Sequence, residues 1–334
     1  MSGQRVRVLM TGAGGAGTIE IIKSLRRAER YEIAVADAGR HSYGFHLADR
    51  GYLVPFGADA RFAEVFADLI RREQPHFVIP LVDEEIPKVH ALVREQFAGQ
   101  TRVLAPLPAF CELALDKWRM ASAMAAAGLS TALTVLTSEV PADFPFPAIV
   151  KPRSGRGSRG VATVRSGDEL AAYLAKAPGP ASQFVLQERL LGREFTTSVV
   201  VGLDGELLAV VPKEAVEKRG ITQVGVTRRV PAIDDLCARM QAVLQADGPF
   251  NVQLILGEDG VPRVFEVNPR YSTTVALTLA AGIDEVDVVM RHALGEPLGP
   301  LTYREDFMML RYSAQLCLPE SEWKNKYVER GPEP

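Results

Sequence analysis

The fold of this chain is decided by residues 250–270, whose sequence is FNVQLILGEDGVPRVFEVNPR. Two apolar runs flank the GEDG segment at 257–260, which has the composition of a hairpin turn. The two runs are therefore predicted to be antiparallel neighbours in one sheet. Polar side chains interrupt both runs, and buried polar groups need a partner.

The polar residues of the second strand point to a nucleotide and metal site. Side chains alternate faces along a strand, so Glu266, Asn268 and Arg270 are predicted to share one face. Carboxylate and amide oxygens, used alongside substrate phosphates, are the ligands that Mg²⁺ prefers. An arginine two residues further on neutralises phosphoryl charge.

A second motif follows the apolar strand 148–151 and runs as a loop from Pro152 to Gly160. Its three glycines let backbone N–H groups approach phosphate oxygens, and Lys151, at the end of the strand, adds a fixed positive charge. A flexible surface loop is the alternative interpretation. A lysine that ends a buried strand directly before the glycines favours phosphate binding.

In these motifs the chain resembles the ATP-grasp superfamily, and within it the branch similar to carbamoyl phosphate synthetase. Members of that branch end their nucleotide site with a Gln strand and a Glu-x-Asn-x-Arg strand. The resemblance runs from about Asp116 to about Gly282 at the level of motifs, and more loosely over the N-terminal third. It implies that Gln253 joins Glu266 and Asn268 as a metal ligand.

The resemblance also implies the position of ATP and the catalytic residues. The glycine loop closes over the triphosphate, the backbone at 188–190 holds adenine, and a glutamate at 194 accepts hydrogen bonds from the ribose hydroxyls. Without the resemblance, the residues at 117, 188 and 194 would be ordinary surface charges. Arg270 and Lys151 are implied to offset charge in the transition state. The ATP-binding residues implied in this way are Lys117, Lys151, Ser154, Gly155, Gly157, Ser158, Gly160, Glu188, Arg189, Leu190 and Glu194.

The order of strand-like and helix-like segments predicts the fold class. From residue 5 to about 110, β-branched runs alternate with helical patterns, which is typical of a doubly wound parallel α/β sheet. The rest predicts an antiparallel sheet backed by helices, and the resemblance implies an α+β, ATP-grasp arrangement of a lid and an antiparallel-sheet subdomain. The expected units are an N-terminal domain at 1–111, a lid subdomain at 112–186, and a C-terminal subdomain at 187–334 that carries the nucleotide and metal site.

A further glycine motif, TGAGGAG at 11–17, follows the first strand and opens a helix. Asp37 lies 20 residues beyond Gly17, at the end of the second strand, which satisfies the dinucleotide fingerprint. Taken alone, the motif favours an NAD-dependent oxidoreductase. A packing turn without a ligand, and a turn that contacts the second substrate, are the other interpretations.

Candidate substrate residues come from three segments. Acidic residues at 83–85 end a strand where open α/β sheets bind ligands, so Asp83 or Glu84 is a candidate for receiving a cationic amine; charge at a helix N-terminus is the alternative. Basic residues crowd the span 213–229, where a solvated face is the alternative. A hydroxyl-rich turn follows Arg270. The candidates are Asp83, Glu84, Lys213, Arg228, Tyr271 and Ser272.

Length and charge narrow the class of protein. The 334 residues are enough for roughly two domains. A net charge of −3 provides no broad basic field, which argues against nucleic acid and anionic membranes as partners. Three separated cysteines favour neither a disulfide framework nor a zinc site, and they indicate a cytoplasmic protein with reduced thiols.

Taken together, these features predict an ATP-dependent carboxylate–amine ligase. The resemblance implies that a small-molecule carboxylate attacks the γ-phosphate to give an acyl phosphate, which an amine or ammonia captures. The expected cofactors are ATP and Mg²⁺, with Mn²⁺ as the alternative metal. The sequence leaves the oligomeric state open, although the resemblance makes a homodimer one candidate assembly. A catalytically silent ATP-binding protein is the remaining alternative.

Overall fold

The computed structural model of the chain describes residues 5–155, 157, 159–325 and 327–329. These residues form three β-sheets, one parallel and two antiparallel. The Ser158 expected at the ATP site lies outside the described residues.

The first sheet is parallel, and helices cover it. Apolar side chains occupy both faces of its central strand, where Val8, Leu9 and Met10 are at most 1% exposed. Such a continuous apolar run is expected for a strand with helices on both sides. Five of the strands are ordered β3-β2-β1-β4-β5. They and their helices are β1 (Val6–Thr11), α1 (Thr18–Arg27), β2 (Tyr31–Asp37), β3 (Arg50–Leu53), α2 (Phe62–Glu73), β4 (Phe77–Ile79), α3 (Ile86–Gln96) and β5 (Arg102–Val103).

The second sheet is small, antiparallel and ordered β6-β9-β7-β8. Phe144, Val150 and Phe184 fill its core together with one side of the helix that packs on it. The Ser166 hydroxyl caps that helix by accepting from the Glu169 amide at 3.3 Å, as the sequence predicts. The elements that lead to this sheet and form it are α4 (Pro108–Leu115), α5 (Lys117–Ala126), β6 (Thr134–Leu136), β7 (Ala148–Pro152), β8 (Ala162–Val164), α6 (Gly167–Leu174) and β9 (Phe184–Glu188).

The third sheet is the largest and has the order β14-β13-β10-β11-β12-β15. Its pairings are antiparallel, and Gln253 stands opposite Glu266 across the predicted hairpin. Helices cover both faces of the sheet, leaving the end next to the small sheet open. The elements are β10 (Arg193–Val201), β11 (Leu207–Arg219), β12 (Ile221–Thr227), α7 (Pro231–Leu244), β13 (Phe250–Leu256), β14 (Pro262–Asn268), α8 (Val275–Ala281), α9 (Glu285–Ala293) and β15 (Met308–Leu310).

After β15 the chain returns to the first sheet. It forms α10 (Glu320–Asn325) and then β16 (Tyr327–Glu329), which pairs in parallel with β3. The expected C-terminal subdomain at 187–334 therefore ends in a strand of the N-terminal sheet. Nothing in the local sequence pattern indicates this, because the strand has only three residues.

The packing of α5 bears on the expected boundary at residue 112. Met120 and Met124 on α5 pack with Phe195 and Leu254 beneath the large sheet rather than against the small one. The small sheet begins at Thr134. We therefore propose a lid of about 130–188 and assign α4 and α5 to the large subdomain.

The predicted fold class is confirmed: a parallel α/β sheet precedes a lid and an antiparallel α+β subdomain. Across the described part of the chain, no helix combines the length and the apolarity that crossing a bilayer requires.

Candidate functional site

A cleft of about 470 Å³ separates the small sheet from the open end of the large sheet. We call it the first cleft. Basic, acidic and amide side chains line it from both sides, so it can hold a charged ligand. Residues of α5, β7, the glycine loop, β9, β10, the β11–β12 hairpin, β13 and β14 form its wall, together with residues that follow β9 and β14. Among them are Lys117, Lys151, Gly155, Gly157, Glu188, Arg189, Leu190, Glu194, Gln253, Glu266, Asn268 and Arg270.

The three predicted metal ligands lie together on one wall of this cleft. Gln253 faces Glu266 in the β13–β14 register, and Asn268 follows two residues later on the same face. The Asn268 amide donates to Glu266 Oε1 at 3.3 Å. One carboxylate and two amide oxygens form a hard, oxygen-only donor set, which fits Mg²⁺ bound alongside phosphate oxygens.

Asn251 belongs to the same wall and was not anticipated. It stands opposite Asn268, lines the cleft, and accepts from the Thr196 hydroxyl at 2.9 Å. In the sequence it is one polar residue at the start of an apolar strand. The same alternation that puts Glu266 and Asn268 on one face puts Asn251 beside Gln253, so the hairpin pattern carried a signal for it.

We call the side of the first cleft formed by Asn251, Gln253, Glu266 and Asn268 the metal wall. Lys151 connects the lid to this wall. It is the last residue but one of β7, is 4% exposed, and donates to Gln187 Oε1 at 2.8 Å and to the Phe265 carbonyl at 3.2 Å. That carbonyl is available because a bulge in the β13–β14 pairing leaves Phe265 out of the ladder. Burial lowers the pKa of Lys151 to about 8, although the Glu266 carboxylate favours the charged form.

This low pKa predicts that nucleotide affinity depends on pH. Below about pH 8 the Lys151 amine is charged in the empty cleft. Above about pH 8 the amine is neutral, and it must take up a proton when a polyphosphate binds. We expect the affinity for MgAMP-PNP to fall as pH rises through 8, by up to about tenfold per pH unit. Calorimetric titration from about pH 7 to about pH 9.5 measures this. Lys151→Arg, which stays charged, should flatten the profile, and a flat profile in the wild type would contradict the expectation.

The glycine loop is fixed to α5. Asp116 caps α5 by accepting from the Arg119 amide at 3.1 Å, and both of its oxygens accept from Arg153 Nε at 2.9 Å. Lys117 then donates to the Gly155 carbonyl at 2.9 Å. Since Gly155 and Gly157 have positive φ, side chains there would strain the loop. Of the other loop residues expected at ATP, Ser154 and Gly160 are not among the described residues that line the cleft.

The residues expected at adenine and ribose line the far end of the first cleft. Glu188 Oε1 accepts from the Leu133 amide at 2.7 Å, which holds the segment against the lid. Glu194 accepts from Lys218 at 2.6 Å, and Lys218 also reaches Gln253 Oε1 at 3.4 Å. Lys218 is therefore the base from the 213–229 span that lines the cleft.

The structure does not bring the two bases chosen from that span to the cleft. Lys213 lies on the face of the large sheet that also carries Gln253, but α8 and α9 cover the sheet at this point. Lys213 is fully buried against Ser198, Thr278 and Glu285. Arg228 lies beyond the end of β12 and ion-pairs with Glu214 at 2.8 Å and with Asp306. These contacts do not support their assignment as substrate residues.

A second cleft, of about 430 Å³, opens at the carboxyl ends of β1, β2 and β4. It shares Arg270, Ser272 and Thr273 with the first cleft, so the two are continuous. Tyr271 and Glu84, both substrate candidates, line it as well. β14 ends at Asn268, so the strand alternation that predicts Arg270 on the face of Glu266 and Asn268 does not extend to Arg270. A turn after the strand instead places Arg270 where the two clefts meet.

Asp83 lies behind Arg270. The carboxylate is buried and accepts from Arg270 Nε at 2.5 Å, an ion pair between the N-terminal domain and the large subdomain. Asp83 is not among the described residues that line either cleft. The contact orients the guanidinium, so Asp83 acts on a ligand only through Arg270.

The glycine turn at 11–17 forms one side of the second cleft. Asp37 accepts from the Gly14 amide at 2.7 Å and from the Gly39 amide at 2.7 Å. The Gly12 carbonyl accepts from the Gly15 amide and the Thr18 hydroxyl, both at 2.8 Å. A carboxylate bonded to the turn repels a pyrophosphate, which weighs against a dinucleotide there.

Comparisons with known proteins agree with this architecture. A family model described as ATP-grasp in the biosynthetic pathway with Ter operon matches residues 181–315. The biotin carboxylase domain of Hydrogenobacter thermophilus 2-oxoglutarate carboxylase, solved with MgADP and bicarbonate, is 18% identical with a TM-score of 0.70, over 89% of this chain and 71% of that one.

Two further solved structures are similar. N5-carboxyaminoimidazole ribonucleotide synthetase from Thermotoga maritima is 18% identical with a TM-score of 0.66, over 89% of this chain and 78% of that one. L-amino acid ligase from Bacillus licheniformis is 17% identical with a TM-score of 0.65, over 88% and 75%. At these identities the similarity establishes the fold.

Proposed function

We propose that this chain is an ATP-grasp protein and an ATP-dependent ligase that activates a small carboxylate as an acyl phosphate and joins it to an amine or ammonia. One observation carries the proposal. Lysine, carboxylate and amide side chains line the first cleft, and Arg270, which follows Asn268, also lines a second cleft of small-molecule size.

The first cleft fits Mg²⁺ and ATP. Gln253, Glu266 and Asn268 would hold the metal, and the metal would neutralise phosphate charge. Lys151 on the lid strand β7 and Lys117 at the start of α5 would contact the phosphates. Mn²⁺ prefers the same oxygen donors and stays the alternative metal.

The reaction places the two substrates at the junction of the clefts. A carboxylate oxygen attacks the γ-phosphorus, the bond from phosphorus to the β,γ-bridging oxygen breaks, and ADP leaves. An amine nitrogen then attacks the acyl carbon, the C–N bond forms, phosphate leaves with the electron pair of the C–O bond, and the nitrogen releases a proton to solvent. Arg270 is positioned to neutralise the transferred group, and Lys151 the triphosphate. No covalent intermediate on the protein is required.

Two alternatives remain from the sequence. The NAD-dependent oxidoreductase is less well supported, because the Asp37 carboxylate lies on the turn that would have to receive the pyrophosphate. A catalytically silent ATP-binding protein would retain nucleotide binding without turnover. The carbamoyl phosphate synthetase-like branch is supported by the motif of Gln253, Glu266, Asn268 and Arg270, and it stays part of the proposal.

We expect ADP and a hydroxamate to form when the protein is given ATP, Mg²⁺, hydroxylamine and pooled amino and hydroxy acids. Hydroxylamine captures an acyl phosphate whatever the natural amine is, so the assay identifies the acid first. Ferric-hydroxamate colour and coupled ADP release measure the two products. Splitting the active pool then identifies the carboxylate.

Thermal melting provides the control for the alternatives. MgATP should raise the melting temperature, whereas NAD should leave it unchanged. Stabilisation by NAD alone would favour the oxidoreductase. Stabilisation by MgATP without ADP release from any pool would favour the silent protein.

A further inference from the structure

One arginine outside both clefts contacts three of the segments that line them. Arg311 follows β15, and its amide donates to the Gln223 carbonyl at 2.8 Å, which extends the pairing of β15 with β12 by one residue. Its side chain is partly buried, and it is not among the described residues that line either cleft. Arg311 therefore acts on a ligand only through the segments that it contacts.

Each nitrogen of the Arg311 guanidinium donates to the backbone carbonyl of a different segment. Nε donates to Thr222 at 3.0 Å, Nη2 to Thr273 at 2.8 Å, and Nη1 to Ala16 at 3.4 Å. Thr222 lines the first cleft, Ala16 lines the second, and Thr273 lines both. The donors of a planar guanidinium have a fixed fork geometry, so Arg311 holds these three backbones in one arrangement.

The glycine turn of the N-terminal domain and the turn after Arg270 meet closely beside this guanidinium. A Cβ at Gly17 would lie 3.2 Å from the Ser272 carbonyl oxygen and 3.4 Å from Thr273 Cα. Even one methyl group at position 17 would therefore press on the second turn. Because Arg311 donates to one carbonyl in each turn, it joins the N-terminal domain to the large subdomain at this point.

The turn that Arg311 holds also positions Arg270. Arg270 Nη1 donates to the Tyr271 carbonyl at 3.2 Å, two residues before the carbonyl that accepts from Arg311. The Ser272 hydroxyl in the same turn lies 3.4 Å from the Thr196 hydroxyl, which donates to an amide oxygen of the metal wall. A shift of this turn would therefore move Arg270 relative to the metal wall.

We propose that Arg311 is a positioning residue of the ligase. It fixes the turn after Arg270 against the glycine turn, and so it sets where the carboxylate substrate lies at the junction of the clefts. This inference rests on the proposed ligase function and adds a residue that no bond is made to or broken at. The three carbonyls belong to none of the residues proposed to hold ATP or the metal. Loss of Arg311 should therefore impair use of the acid more than binding of the nucleotide.

Hydroxamate formation by the full chain tests this with Arg311→Met and the pooled amino and hydroxy acids, diluted in steps at saturating MgATP. We expect the pool concentration for half-maximal rate to rise at least about fivefold, and the affinity for MgAMP-PNP to change less than about threefold. Arg311→Lys keeps the charge but not the fork, so it should recover only part of the loss. Arg304→Met is the matched control. Arg304 lies in the same segment and donates to the carbonyl of Ala280, which is not among the described residues that line either cleft.

Hydrogen exchange separates positioning from a general loss of stability. Arg311→Met should speed exchange in peptides that cover 12–17 and 271–275 by at least about tenfold, and leave exchange in β4 and β7 unchanged. If Arg311→Met does not fold, Arg311→Lys is used for both measurements, with smaller changes in the same directions.

Each result decides the inference. A smaller rise in the half-saturating pool concentration, full recovery by Arg311→Lys, an equal loss in Arg304→Met, or unchanged exchange at the two turns would each overturn it. The two proposals fail separately. Absence of hydroxamate from the wild type would reject the ligase, and the exchange result would still decide whether Arg311 holds the two turns. Hydroxamate from the wild type and equally from Arg311→Met would reject only the positioning role.

Discussion

Glu266→Gln is expected to abolish turnover and leave the fold intact. Glu266 supplies the carboxylate among the three proposed metal ligands, and the other two, Gln253 and Asn268, supply neutral amide oxygens. Glutamine keeps the shape of the side chain but removes its charge, so a divalent cation is held less tightly next to the phosphates. The expected loss in hydroxamate formation is more than about 100-fold.

The variant must be shown to fold. Glu266 lies on the cleft wall rather than in the core, and the Asn268 amide, at 3.3 Å, can donate to a glutamine oxygen as well. Its melting temperature without nucleotide should therefore match the wild type. Glu258→Gln, in the exposed hairpin turn of the same two strands, should retain activity. If Glu266→Gln turns over at the wild-type rate, the proposed metal ligands are not required for catalysis.

The sequence predicts the elements of this site well, since local patterns determine them. The hairpin at 257–260 gives β13 and β14 their antiparallel pairing, and the alternation of Glu266 with Asn268 holds to the last residue of β14. Both glycine motifs lie directly after strands, as expected. Each of these features depends on residues within about ten positions of one another.

The features that sequence reasoning missed depend on distant segments. β16 joins the first sheet from near the other end of the chain, where Tyr327 pairs with Gly51 of β3. Lys218 lines the first cleft because two irregularities in the β11–β12 pairing shift the register before it. A charge run gives no indication of which of its members faces a ligand.

The Asp83–Arg270 ion pair gives the N-terminal domain a direct part in the site. Arg270 ends the metal wall, and its partner comes from the carboxyl end of β4 in another domain. Its position at the junction therefore depends on how the two domains pack. A ligand in the second cleft contacts Arg270 as well, so its binding is coupled to the position of Arg270 beside the nucleotide.

The second large effect is expected from Lys213, and it concerns stability. Lys213 is fully buried, donates to Ser198 Oγ at 2.5 Å and Thr278 Oγ1 at 2.8 Å, and lies 3.6 Å from Glu285. Burial lowers its pKa, while Glu285 favours the charged form. Lys213→Met should reduce the free energy of unfolding by about 3–5 kcal/mol, because Glu285 would stay buried without its counter-charge. Denaturant titration measures the loss.

The partner variant separates a structural role for Lys213 from a role in the site. Lys213→Met combined with Glu285→Gln should recover part of the lost stability, because no uncompensated charge stays in the interior. Lys23→Met, which removes an exposed pair with Glu20, should cost less than about 1 kcal/mol. Folded Lys213→Met should bind MgAMP-PNP like the wild type, since α8 and α9 separate the residue from the cleft. Normal stability with lost nucleotide binding would instead mean that the helices move aside and that Lys213 meets the ligand.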